Sequence, residues 1–458
     1  MILLRNCFYV MTAPGKGLSN VDILIKDNLI EKVGRNLSED PLVKTGRDVI
    51  EVIDASKHVV IPGMVNTHHH FYQTLTRNLP AVQNAELFDW LVYLYDIWKK
   101  LDAEGVYWST ALATAELLKT GCTTTTDHHY LYPRDIHADI MALQFKAAGD
   151  TGIRFSPTRG SMSRSKKDGG LPPDSVVQTE DEILADSERV INEFHDASDF
   201  SMQKIVLAPC SPFSVSEELM KQSAALARRK GVRLHTHLAE TRDENEYCLE
   251  MYKRRPVKLM EDCDFLGEDV FFAHGIHFND DELKVLKETG SHIAHCPASN
   301  MRLGSGICRV REMNDLGINV GLAVDGSASN DASDMLGEAR LALLLQRVTK
   351  GADALTAEEV YRMAGINGAQ MLGYNKIGKI EEGWAADLAL FDVHKLEYCG
   401  ALSDPAAALL FSGYNHGTDY TICNGKIVVE KGQLTGIDEE ILIAEAGKAA
   451  GRLYGRDL

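Results

Sequence analysis

A chain of 458 residues, 45% hydrophobic and 25% charged, is long enough for a large barrel core and has the composition of an ordinary globular protein. Its 48 basic and 66 acidic side chains leave a formal charge of −18, which repels phosphate backbones and anionic lipid and sets aside nucleic acid and membrane as main partners. Nine scattered cysteines form no CxxC pair, the opening MILLRNCFYV lacks the layout of a secretion signal, and no apolar run reaches the roughly 18–20 residues of a membrane span; the expectation is a soluble protein of the reducing cytoplasm.

In chain order, the first sixty residues predict short strands and turns. VDILIKDNLIEKVG (21–34) has two apolar stretches broken at Lys26-Asp27-Asn28, a hairpin pattern. The same texture returns in ADLALFDV (386–393) and in YTICNGKIVVEKGQL (420–434), where Asn424-Gly425 is a strong hairpin turn. Residues 1–60 and 380–440 are therefore expected to build one composite β domain, with 441–458 a helical tail. Between them, 61–379 alternates apolar runs with helical patterns. Eight runs stand out: VVIPGMVNTHHH, CTTTTDHHY, IRFSPTRG, QKIVLAPCSP, VRLHTHLAE, VFFAHGIHF, HIAHCPASN and NVGLAVDG. Eight strands with helical spacers, such as SEELMKQSAALARRK after its N-cap Ser216, predict a (β/α)₈ barrel of the α/β class. Most of the runs end in polar residues, where a barrel carries its active site.

Those endings hold an excess of histidine. Residues two apart on a strand share a face, so His68 and His70 can point together into the barrel mouth while His69 points away. His237 ends the fifth run and adds a third imidazole; Asp325 ends the eighth and offers a carboxylate, with a turn role in VDGSAS as its alternative. Three His and one Asp suit Zn²⁺ or Fe²⁺ and leave a position open for chemistry. Glu240, three residues after His237, is placed to move protons. His274 either polarises water or the substrate, or is a hydrogen-bonded core histidine; His235, His277 and His295 are assigned to the core.

The set NTHHHF, HTHLAET, FAHGIHF and VDGSASNDAS closely resembles the amidohydrolase superfamily, in particular its mononuclear-metal aminohydrolases of heterocycles, and the resemblance covers nearly the whole chain. It implies a distorted (β/α)₈ barrel with a β-sandwich. It also implies His68, His70, His237 and Asp325 as ligands, Glu240 as acid/base, His274 as an electrostatic group, and Asp325 as acceptor of the nucleophile's proton. Binuclear members carry a lysine at the end of strand four; here Lys204 lies at that strand's beginning, so one divalent ion is expected, zinc before iron. The implied reaction is hydrolytic loss of an exocyclic amine from a ring carbon. HHHFYQTLTR, LAPCSPFSV and HCPASNMRLGSGI look most like deaminases of oxidised purines such as 8-oxoguanine. Hydroxy-s-triazine aminohydrolases and isoxanthopterin or guanine deaminases share much of the pattern, and a non-catalytic barrel scaffold is the alternative from another class.

For substrate contacts, Gln73 can donate to and accept from a purine edge, Arg159 can reach an oxo group from the stretch 159–174, itself a lid or a plain surface loop, and Cys210 can line the pocket. The aromatics of LFDWLVYLYDIW (87–98) either stack on a flat ring or pack the core. A homo-oligomer is expected from the resemblance.

Overall fold

The computed structural model of the protein describes residues 1–44 and 51–455. Hairpins near both ends of the chain set up a single sheet. Lys16–Lys26 pairs antiparallel with Leu29–Gly34, and Tyr420–Cys423 with Lys426–Glu430. The second turn has Asn424 at φ 48° and Gly425 at φ 76°. Two consecutive positive φ angles are what a tight hairpin demands, and Asn-Gly accepts them at little cost. Leu388–Asp392 joins the two halves by pairing with His58–Pro62 on one side and Tyr420–Cys423 on the other. The result is a nine-stranded sheet, the sandwich domain. Side chains alternate along His58–Pro62: Val60 packs with Ile23, Ile25 and Leu390 inside the sandwich, while Val59 and Ile61 join the core that runs under the barrel.

The barrel strands are Met64–Asn66, Cys122–Thr125, Arg154–Phe155 continued by Thr158–Ser161, Val206–Pro209, Arg233–Leu238, Val270–His274, His292–His295 and Val320–Leu322. Every neighbouring pair is parallel. The ring closes where Thr67 donates its N–H to Leu322 O (3.1 Å) and Asp325 donates its own to His68 O (3.1 Å). This closure carries the end of the last strand to the end of the first.

Two runs divide where one strand each was predicted. The first splits at Gly63: its early half belongs to the sandwich and its late half to the barrel. A Cβ at Gly63 would lie 2.2 Å from Thr123 Oγ1, so glycine lets the chain cross over there. The third breaks at Ser156-Pro157. Its first half pairs with the second strand and its second half with the fourth, and Pro157 has no N–H to extend a ladder. Ser156, Thr158 and Gly160 still donate to Thr125, Asp127 and His129 carbonyls, which keeps the wall continuous.

Helices behave as their caps dictate. Ser216 Oγ accepts from Leu219 N (3.0 Å) to open Glu217–Lys230, and Leu87–Trp98 and Glu439–Tyr454 are helical. All nine cysteines are free thiols. Among the described residues, no helix is long and apolar enough to cross a membrane.

A buried ion pair welds sandwich to barrel. Arg154, fully buried, donates to the Asp387 carboxylate, to Asn424 Oδ1 (3.1 Å) and to Ser201 O (3.1 Å); Asp387 also accepts from Asn424 N (2.6 Å). Arg154→Met strands a carboxylate in the interior and is expected to lower unfolding stability by about 3–5 kcal/mol in urea titrations. Adding Asp387→Leu should recover part of that loss; no recovery would mean the pair is not the joint.

Candidate metal centre

His68, His70, His237 and Asp325 come together at the C-terminal mouth of the barrel. His68 Nε2 and His70 Nε2 each lie 3.4 Å from Asp325 Oδ1, and His70 Nε2 lies 3.1 Å from His237 Nε2. Ligand atoms of His68, His70, His128 and His237 all fall within 4.8 Å of one another, as do those of His68, His274 and Asp325. His128 was legible in the sequence only as a polar strand end; its ring stacks on His237 with centroids 4.6 Å apart.

The outer nitrogens fix the tautomers. His70 Nδ1 faces His128 O (2.8 Å) and His237 Nδ1 faces Cys210 O (2.7 Å). A carbonyl only accepts, so both Nδ1 atoms carry the proton and both Nε2 atoms are bare lone pairs. Their 3.1 Å contact therefore has no proton in it. His68 Nδ1 lies 2.8 Å from His235 Nε2, and the buried His68 Nε2 faces the Asp325 carboxylate at 3.4 Å. Burial holds all three imidazoles below their ordinary pKa, so protonation does not relieve the clash. Three converging lone pairs and a carboxylate, buried and unrelieved, fit a divalent cation.

Asp325 and His274 both sit in left-handed backbone, at φ 65° and φ 72°. That conformation is costly for a non-glycine residue and turns each side chain back over the mouth as its strand ends. Asp325 Oδ1 accepts from Gly326 N (2.7 Å). His274 Nδ1 faces Asn300 Oδ1 (2.9 Å), which leaves Nε2 3.5 Å from Glu240 Oε2 and 3.9 Å from Asp325 Oδ2. Burial pushes the Glu240 carboxyl up to about 7. On His274 burial acts downward, but the Glu240 and Asp325 carboxylates outweigh it and hold the ring above its ordinary value.

Glu240 is positioned by a residue that sequence reasoning missed. Glu244 accepts from Ala239 N (2.8 Å) and Glu240 N (3.0 Å), clamping the turn in which Ala239 has φ 54°. The signal was present as Thr241-x-x-Glu244, a capping-box pattern: Thr241 caps the helix Arg242–Tyr252, but the glutamate reaches past its cap to the catalytic-face turn.

Beside these groups opens a narrow cleft. Gln73 and Cys210 line it, with the Gln73 Oε1 buried and unpartnered. Leu87, Trp90, Leu91 and Tyr95 line it too, so the aromatic helix faces the cleft as well as the core. Tyr130 and Phe213 were not foreseen. Arg159 stands apart from that lining: its guanidinium covers the Tyr132 ring at 3.9 Å and pairs with Asp186 (2.5 Å) and Gln178 (2.9 Å). The start of 159–174 is thus anchored inward, and the expected reach of Arg159 to an oxo group does not occur in this arrangement. Lys204 is also remote, donating to Gly373 O (2.5 Å) and lying 4.1 Å from the Tyr374 ring centre.

The fold and donor set define a (β/α)₈ barrel with a histidine-rich metal site. Comparison with known proteins narrows this. The model of the amidohydrolase family matches residues 59–428, and the chain belongs to that family; with its deaminase relatives this makes it a hydrolase acting on C–N bonds. It is 45% identical to the 8-oxoguanine deaminase of Pseudomonas aeruginosa PAO1, over 98% of each chain. It is 36% identical to the hydroxydechloroatrazine ethylaminohydrolase of Pseudomonas sp. strain ADP, over 97% of this chain and 94% of that one. Among solved structures, the zinc complex of the atrazine chlorohydrolase TrzN from Arthrobacter aurescens TC1 superposes with a TM-score of 0.92 at 30% identity, over 98% of this chain and 100% of that one.

The floor of the cleft depends on a missing side chain. A Cβ at Gly326 would fall 2.0 Å from Gln73 Oε1. Gly326→Ala is expected to keep the fold and push the Gln73 amide out of place, visible in a crystal structure of the variant. An unmoved Gln73 would show that the contact is not limiting.

Proposed function

We propose that this protein is a zinc-dependent aminohydrolase that converts 8-oxoguanine to urate with release of ammonia, with 61–379 as the catalytic unit and 1–60 with 380–440 as its support. The observation that carries the reading is the facing pair of bare nitrogens at 3.1 Å, His70 Nε2 and His237 Nε2, completed by His68 and Asp325 beside a cleft that contains Glu240. Likeness to an 8-oxoguanine deaminase supports the substrate, and likeness to a zinc complex supports the metal. The nine free thiols suit a reducing cytoplasm.

Three nitrogens and one carboxylate would hold a single ion, which supplies a water acidic enough to act as nucleophile near neutral pH. The remaining chemistry belongs to the chain. Water adds to the ring carbon that bears the exocyclic amine, and Asp325 takes its proton. Glu240, whose carboxyl burial raises to about 7, protonates the adjacent ring nitrogen from its acid form. His274, fixed by Asn300, presents Nε2 to the oxygen that gains charge. The proton on Asp325 then passes to the amine, which leaves as ammonia as the C–N bond breaks, and the hydroxyl proton of the adduct returns to Glu240 as the carbonyl forms. Gln73 Oε1, otherwise unpartnered, accepts from a ring N–H of the substrate.

A second reading, hydrolysis of an alkylamine from a hydroxy-s-triazine, is favoured by the 36% identical relative. One assay separates the two: ammonia from 8-oxoguanine supports deamination, whereas ethylamine from a hydroxy-triazine with no ammonia from the purine overturns it.

Glu240→Gln should keep its metal, by elemental analysis, and lose about 10²- to 10⁴-fold in kcat; near-normal turnover would remove Glu240 from the proton path. Because the acid form does the work and its pKa is about 7, kcat/KM should decline as pH rises through that value. A flat profile across neutral pH would contradict a protonated Glu240.

A further inference from the structure

The three imidazoles of the centre are not held alike. His70 and His237 give Nδ1–H to main-chain carbonyls, those of His128 and Cys210. His68 instead faces a side chain, His235 Nε2, at 2.8 Å. His235 in turn has Nδ1 at 2.8 Å from Phe271 O, and its ring stacks on Phe271 with centroids 4.1 Å apart and planes within 16°. It is fully buried on the fifth strand, two residues before His237.

Only one proton arrangement satisfies this chain. Phe271 O accepts, so His235 Nδ1 carries the proton and neutral His235 has a bare Nε2. That Nε2 must accept, so His68 carries its proton on Nδ1 and leaves Nε2 free towards Asp325. Reversing the chain would set a lone pair of His235 against the Phe271 carbonyl in the dry interior, at the cost of a stranded buried acceptor. It would also put a proton on the His68 nitrogen that faces the centre.

Resting on the metal-centre reading above, we infer that His235 is a positioning residue: its Nε2 fixes the tautomer and ring orientation of His68, and so sets metal affinity without touching metal or substrate. Nothing else among the described contacts orients the outer edge of His68, so a single side chain controls one ligand of the set. Such outer partners of ligating imidazoles typically matter by about 10- to 100-fold in metal affinity.

Two variants and one wild-type measurement test this. His235→Phe preserves ring shape and the stack on Phe271 but removes the acceptor. His235→Gln loses the stack but can present an amide oxygen to His68 Nδ1–H. Zinc affinity, measured by competition with a chelating dye, should fall about 10- to 100-fold in the Phe variant and be largely retained by Gln. A mere packing role predicts the reverse order, and that order, or unchanged affinity in the Phe variant, overturns the inference. In wild-type protein with ¹⁵N-labelled histidine, His68 should carry its proton on Nδ1; finding Nδ1 bare overturns it whether or not the variants fold. If wild-type protein itself binds no zinc, the metal-centre reading fails first, and that result is distinguishable from all of these.

Discussion

Two ring nitrogens, His70 Nε2 and His237 Nε2, face each other at 3.1 Å with no proton between them. In water such a contact would open or take up a proton. Here it does neither, because backbone carbonyls hold the far side of both rings and burial opposes protonation. The site is built around a positive charge, and the barrel makes that arrangement stable by confining repulsive groups on rigid strands. A divalent ion held there would turn that liability into binding energy, in the way metal affinity and folding are linked elsewhere.

The other parts serve that confinement. Parallel strands deliver histidines from the first and fifth positions, and the closing bond from Asp325 N to His68 O brings the last strand's carboxylate beside the first strand's imidazole. Where strands end, the chain bends sharply: His274 and Asp325 adopt left-handed backbone, and Glu244 clamps the turn that holds Glu240. The strain is local and is borne by a barrel whose hydrogen bonds over-determine it. The sandwich contributes through Arg154 and Asp387, which anchor the third barrel strand from below.

What could be read in advance follows from periodicity and turn chemistry. The two-residue spacing of His68 and His70 is visible because a strand repeats every two residues, and Asn424-Gly425 because few dipeptides accept two positive φ angles in succession. Strand count was legible, but the divisions at Gly63 and Pro157 were not, since each depends on which neighbour the chain meets. Arg159 misled for a related reason. A basic residue at a strand end suggests a substrate contact, yet Tyr132 from an earlier segment and Asp186 and Gln178 from a later one claim it. His235 reads as a core histidine and is one, buried and bonded to Phe271 O; its contact with His68 depends on which strands face each other and is not legible in the sequence. Trp90 and Tyr95 show that a helix can pack the core and line the cleft at once.

The most direct measurement is a crystal structure with data collected on both sides of the zinc absorption edge. A single anomalous peak is expected about 2.0–2.2 Å from Nε2 of His68, His70 and His237 and from a carboxylate oxygen of Asp325. An ion bound through His128 in place of Asp325, or no ion and the two facing rings swung apart, would contradict the account.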